Sequence, residues 1–120
     1  MPRTTASEGA AVYFITPQNG GTVASPVALR SGLSGLGVAP AGVANENTGH
    51  HHLLIDVAEM PPLDQPLPAT DNVKHFGGGQ TETTVELPLG THNQQLLVGD
   101  MNHVPFDPPA VSEKITITVE

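Results

Sequence analysis

The chain has 120 residues, a formal net charge of −8 and no cysteine. This length suits one domain with a modest core, and without cysteine neither disulfides nor thiolate metal sites can form. Only four residues are Lys or Arg. This excludes the clustered basic surfaces with which proteins bind nucleic acids and anionic membranes. The sequence also contains no apolar stretch long enough to span a membrane. We therefore predict neither a nucleic acid partner nor membrane insertion.

The N-terminal third begins with small polar residues and continues with β-strand patterns. Residues 1–9 predict a flexible arm, and residues 10–120 predict a single domain. The segment "VYFI" at 12–15 is β-branched and aromatic, as strands are. A Gly-rich turn, "QNGG", follows, and Val27 and Leu29 then alternate with Arg30. Strand, turn and strand with proline at the boundary is typical of immunoglobulin-like sandwiches. Residues 35–49 show no pattern and predict a loop.

The rest of the chain predicts further short strands around one long connection. Residues 53–57 predict a strand, whereas residues 59–79 are too rich in proline for a helix or a central strand. Long connections of this kind are often functional. "QTETTVEL" alternates between two faces, and "KITITVE" places Ile115, Ile117 and Val119 inward. We predict an all-β fold, an immunoglobulin-like antiparallel β-sandwich of about seven short strands.

Three consecutive histidines, at positions 50–52, precede the predicted strand at 53–57. Neighbouring residues of a strand alternate faces, so His51 falls on the core face with Leu53, and we interpret it as structural. His50 and His52 share the opposite face with Leu54. Their Cα atoms would lie roughly 6–7 Å apart, which lets both rings converge on one ion through bonds of about 2 Å.

Further metal ligands have to come from elsewhere in the chain. His103 in "GDMNHVP" and His75 in "KHFGGG" both lie in predicted loops and are the candidates. His92 shares parity with strand residues that predict the core, so we expect it to face inward. Asp56 and Asp100 are candidates to orient histidine rings as hydrogen-bond acceptors, although Asp100 equally suits an ordinary turn. Imidazole ligands without thiolate favour copper or zinc.

Two other classes of function stay open on the sequence alone. Histidines at a strand start can simply form hydrogen bonds to backbone groups. In that case the chain would be a metal-free interaction or oligomerisation module of the cell envelope, including a homo-oligomer. A small metal-dependent enzyme using an ion-activated water is the third reading. No separate general acid or base stands out, so we do not expect an enzyme.

Several blocks together, among them "TGHHHLLIDV", "KHFGGGQTETTVEL" and "GDMNHVP", resemble a family of small exported bacterial domains known as domain of unknown function 4399. The resemblance runs from about residue 12 to the C-terminus. It implies a periplasmic or secreted protein whose signal peptide is cleaved, in line with a start that lacks an apolar signal core. The matching positions are His50, His51, His52, His75, His92, Asp100 and His103. We predict an exported protein that binds copper or zinc through histidines, for carriage or sequestration.

Overall fold

The computed structural model describes residues 3–120, and Met1 and Pro2 lie outside the described residues. Nine β-strands occur in the described part of the chain: β1 (Ala11–Thr16), β2 (Thr22–Val23), β3 (Val27–Ser34), β4 (Gly37–Val38), β5 (Thr48–Ile55), β6 (Val73–His75), β7 (Glu82–Val85), β8 (Gly90–Gly99) and β9 (Ile115–Val119). Residues 3–120 contain no helix long and apolar enough to cross a membrane.

The strands form two sheets, which confirms the predicted all-β sandwich. One sheet has the order β1-β3-β7, and the other has the order β2-β9-β8-β5-β4, with β6 paired to β5. Most pairs are antiparallel, but β2 with β9 and β4 with β5 are parallel. The structure has more strands than the seven predicted because some are only two or three residues long. A strand that short shows no recognisable alternation in the sequence. The predicted loop at 35–49 is wrong where β4 pairs with β5.

The main core lies between the two sheets and follows the alternation of the sequence. From the larger sheet Leu53 and Leu96 are fully buried, as is Ile117 in β9. Val27 and Leu29 of β3 face them from the smaller sheet. The burial pattern of β9 confirms that its isoleucines and Val119 point inward. This core rigidly supports β5 and β8, the strands that carry the histidines.

A second, smaller core covers the outer face of the larger sheet. Leu54, Val73 and Leu97 project outward from the sheet and pack with Leu67 of the proline-rich connection. The backbone N–H of Leu67 donates to the carbonyl of His103 at 2.8 Å. The connection therefore buries a sheet face that in a sandwich is ordinarily solvated, and the histidines on that face are buried with it.

The predicted flexible arm at residues 1–9 falls partly on residues outside the described chain. From Thr4 onward the segment runs beside Asp107: the N–H of Asp107 donates to the carbonyl of Thr4 at 2.9 Å, and the N–H of Ala6 donates to the carbonyl of Asp107 at 3.0 Å. The described part of the segment is thus hydrogen-bonded to the domain.

Candidate metal centre

The three consecutive histidines lie inside β5 (Thr48–Ile55), and the predicted strand start at residue 53 is five residues late. His50, His51 and His52 each have none of their surface exposed. The strand is covered on both faces, by the main core and by the outer cluster. Because both faces of β5 are buried, the three histidines lie in the interior of the strand and are not a solvent-exposed start of it.

Strand parity places the histidines as the sequence predicts. His51 pairs with Val98, a main-core residue, and shares its face with Leu53. Neither ring nitrogen of His51 has a hydrogen-bond partner within residues 3–120. Burial lowers the pKa of His51, so the ring is neutral in the folded protein. His50 and His52 point to the opposite face, with Leu54.

His103 brings a third ring to the pair on the outer face. Its Nδ1 lies 2.9 Å from Nε2 of His50 and 3.2 Å from Nε2 of His52. Ligand atoms of these three residues lie within 4.8 Å of one another. A tetrahedral ion with metal–nitrogen bonds of 2.0–2.1 Å holds its ligands about 3.3 Å apart. The two nitrogen–nitrogen distances to His103, 2.9 and 3.2 Å, are therefore close to those of a tetrahedral site.

The hydrogen bonding within this trio is unsatisfactory without a further group. Nδ1 of His103 carries either one proton or one lone pair, and in either tautomer that single group has to serve both neighbouring nitrogens. Nδ1 of His50 and Nδ1 of His52 are also buried, without partners among the described residues. A buried polar atom left unpaired costs about 1–3 kcal/mol. At the two Nε2 atoms and at Nδ1 of His103, the arrangement fits a group that accepts several lone pairs at once, as a metal ion does. The Nδ1 atoms of His50 and His52 stay unpaired with or without that ion.

The loop that carries His103 is held by Asp100. The Oδ1 atom of Asp100 accepts the N–H of Asn102 at 2.8 Å and the N–H of Val104 at 3.1 Å. The N–H of His103 donates to the carbonyl of Asp100 at 3.0 Å. His103 itself has a φ of 63°, in the left-handed region that non-glycine residues seldom adopt. Asp100 thus holds loop backbone, and its contacts fit the turn interpretation.

His75 adds a fourth ring beside the trio. It ends β6 rather than lying in a loop, and it pairs with His52 across the strands. Its ring centroid lies 4.5 Å from that of His52 and 4.5 Å from that of His103. Its Nε2 donates to the carbonyl of Pro68 at 2.8 Å, so Nδ1 is the nitrogen left with a free lone pair. This histidine lies outside the set of three whose ligand atoms converge.

The electrostatics keep the cluster neutral. Burial lowers the pKa of His50 to about 4, with further lowering by His103 and His75. Burial lowers the pKa of His52 to about 2, helped by repulsion from His50 and the other two rings. Burial also lowers the pKa of His103. Neutral imidazole is the form that binds metal, so these rings are ready ligands near neutral pH.

Gly99 is a site residue that sequence reasoning missed. It lies opposite His50 on β8, and a Cβ atom built at this position would lie 2.6 Å from Cε1 of His52. Only a residue without a side chain leaves room for that ring. A glycine in a strand interior often marks such a close approach, and this was the available indication in "LLVGD".

His92 lies apart from the cluster, at the other end of β8. Its Nδ1 contacts Oδ2 of Asp56 at 2.6 Å, and its Nε2 donates to the carbonyl of Pro88 at 2.8 Å. The hydrogen bond that the ring donates to the Asp56 carboxylate raises the pKa of His92. The predicted inward face is confirmed, since His92 pairs with the core residue Ile117, but at the end of the sheet the side chain stays 11% exposed and is hydrogen-bonded to a loop. Asp56 does orient a histidine, but not one of the cluster.

Comparison with family models assigns the chain to one family. The family model described as Domain of unknown function (DUF4399) matches residues 29–120. The match begins within β3, so β1 and β2, which the resemblance included, lie outside it, and every histidine lies within it. No curated protein and no solved structure matches the chain. The match covers most of the sandwich and all of the histidine cluster, and the chain therefore belongs to this family.

Proposed function

We propose that this protein binds one copper or zinc ion through Nε2 of His50, Nε2 of His52 and Nδ1 of His103. His75, through Nδ1, is the candidate fourth ligand. The observation that carries the proposal is the convergence of two buried ring nitrogens, Nε2 of His50 and Nε2 of His52, on Nδ1 of His103 at 2.9 and 3.2 Å. Those nitrogens cannot all be satisfied by one another, whereas one ion satisfies all three.

The chemistry of the donor set supports the choice of ion. All the candidate ligands are imidazoles, and the chain has no cysteine. Imidazole sites favour Zn(II) and Cu(II) over hard cations such as Mg(II) and Ca(II), which prefer oxygen. The lowered pKa values of His50 and His52 keep protons from competing for these nitrogens until the pH is well below 6.5.

Carriage or sequestration fits the site better than catalysis. Among the described residues, the side-chain groups in hydrogen-bond contact with the three imidazole rings are the rings themselves. The nearby carboxylate of Asp100 is engaged by backbone N–H groups of its own loop. A site without a free general acid or base is suited to holding an ion. We further propose that this takes place in the periplasm or outside the cell, which fractionation of producing cells tests.

The test begins with untagged protein purified without chelator, elemental analysis, and titration with Zn(II) and Cu(II). We expect one equivalent to bind tightly. The double variant His50→Leu/His52→Leu should lose at least a hundredfold in affinity while still folding, because leucine fills the buried space that alanine would leave empty.

His92→Gln is the matched control, since it removes a histidine outside the cluster and should leave metal affinity unchanged. Equal binding by the wild type and the double leucine variant would contradict the proposed site. If the wild type binds no ion tightly and the leucine variant is simply more stable, the histidines are structural, and the metal-free interaction module becomes the function to test.

A further inference from the structure

Residues 3–6, here called the N-terminal strap, lie across the segment that follows the His103 loop. Thr4 and Ala6 exchange backbone hydrogen bonds with Asp107 at 2.9 and 3.0 Å. The guanidinium of Arg3 donates to the carbonyl of Phe106 and lies 3.6 Å from the Asp107 carboxylate. The strap is thus bonded to the chain three or four residues beyond His103.

One side chain of the strap reaches the loop itself. The hydroxyl of Thr4 donates to Oδ2 of Asp100 at 2.8 Å. The other oxygen of that carboxylate holds the backbone of Asn102 and Val104. Asp100 is only 5% exposed, so water is a poor substitute for the hydroxyl. Thr4 and the loop backbone therefore share one buried carboxylate.

We propose that Thr4 is a positioning residue for the metal centre: through Asp100 it holds the loop in the conformation that aims His103 at His50 and His52. This inference rests on the proposed metal binding. A left-handed φ at His103 is costly and persists only where surrounding contacts impose it. The Asp100 hydrogen bonds are such contacts, and loss of the Thr4 hydroxyl frees the carboxylate to turn away from them.

The coupling works in both directions, because linkage between two sites is reciprocal. If the docked strap strengthens metal binding, metal strengthens docking of the strap by the same factor. Metal should therefore slow hydrogen exchange at the amides of Ala6 and Asp107, although neither residue contacts the histidine trio. A merely structural strap would show only the slowing that metal-induced stabilisation of the whole fold gives to amides elsewhere in the sheets.

The experiment compares three full-length variants by Zn(II) titration, zinc dissociation rate and amide exchange. Thr4→Val removes the hydroxyl at constant shape and should weaken zinc binding about tenfold, mostly through faster dissociation. Thr4→Ser keeps the hydroxyl and should restore the wild-type affinity. Thr5→Val is the control, because no hydrogen bond of the Thr5 side chain occurs within residues 3–120. It should match the wild type.

The outcomes separate this inference from the proposed function. If the wild type binds zinc and Thr4→Val binds it equally well, or loses only the stability of the metal-free protein, the positioning role is wrong and the metal site stands. If Thr5→Val weakens binding as much as Thr4→Val, the hydroxyl contact is not the cause and the role is again wrong. If the wild type binds copper but no zinc, the same variants are compared with Cu(II); if it binds neither ion, the site and the strap inference both fall.

Discussion

Two histidine regions of the same sheet show how differently one residue type behaves. At one end, His50 and His52 are fully buried among other imidazoles, and their pKa values fall to about 4 and about 2. At the other end, His92 contacts the Asp56 carboxylate at 2.6 Å, and its pKa rises. The difference arises because burial outweighs the attraction of the nearby Asp100 carboxylate in the first region, whereas in the second the Asp56 carboxylate accepts a hydrogen bond from the ring of His92.

The comparison identifies which histidines can serve a metal. A protonated, carboxylate-paired ring is a poor ligand, and a neutral ring with an unused lone pair is a good one. The same comparison gives opposite pH responses for the two regions, and these can be measured. The largest expected effects come from the cluster.

Acidification of the metal-free protein should be strongly destabilising. Between pH 6.5 and about 4 the unfolded state protonates His50 while the folded state does not, so the free energy of unfolding falls with the pH. This residue alone accounts for roughly 3 kcal/mol across that window, and His52 extends the loss to lower pH. Urea denaturation at pH 7, 6, 5 and 4 measures the effect. His50→Leu/His52→Leu should give a much flatter profile, and parallel profiles would refute the neutral cluster.

His51 is the buried histidine of the triplet whose ring does not point toward the proposed metal site, so it tests the effect of burial alone. His51→Ala should lower the free energy of unfolding by about 2–4 kcal/mol, because it opens a cavity in the core. His51→Leu should be neutral or stabilising, since it removes two buried nitrogens that lack partners among the described residues. Thermal denaturation checks both variants. Zinc affinity should stay at the wild-type value in His51→Leu, and a large loss there would show that His51 belongs to the metal centre.

Gly99 tests how tightly the cluster is packed. Gly99→Ala should cost about 1–3 kcal/mol and weaken zinc binding, because the added methyl group meets the ring of His52. The stability cost should shrink when His52→Ala removes that ring, which a double-mutant cycle measures. An additive cycle would mean that Gly99 acts through backbone conformation instead.

Asp56→Asn should give the smallest effect, below about 1 kcal/mol, because the Asp56 side chain is 39% exposed and the pair is partly screened. The raised pKa of His92 contributes stability that is present below pH 6.5 and lost as the pH rises through the folded value. Asp56→Asn should abolish that alkaline loss and lower the pKa of His92, followed by NMR titration. Zinc affinity should not change in Asp56→Asn. A change would show that the Asp56–His92 pair is coupled to the metal centre, contrary to their separation in the structure.

Much of the fold was predictable because strand periodicity is local. The alternation in β9 and in β3 identified the inward residues, and the same rule separated His51 from His50 and His52 before any tertiary contact was known. Errors appeared where the pattern is too short or is overruled by packing. The two-residue β4 and the start of β5, which lies five residues before the predicted one, are examples.

The sequence by itself determined the all-β class, the face of each histidine in the triplet and the absence of thiolate ligands. Only the tertiary structure decided that His103 and His75 join that face, that His92 pairs with Asp56, and that Gly99 makes room for the ring of His52. The physical reason is range. The face to which a strand residue points follows from the alternation along a few neighbouring residues. The contact between residues 50 and 103 depends on how the loop after β8 packs against β5, which are far apart in the sequence.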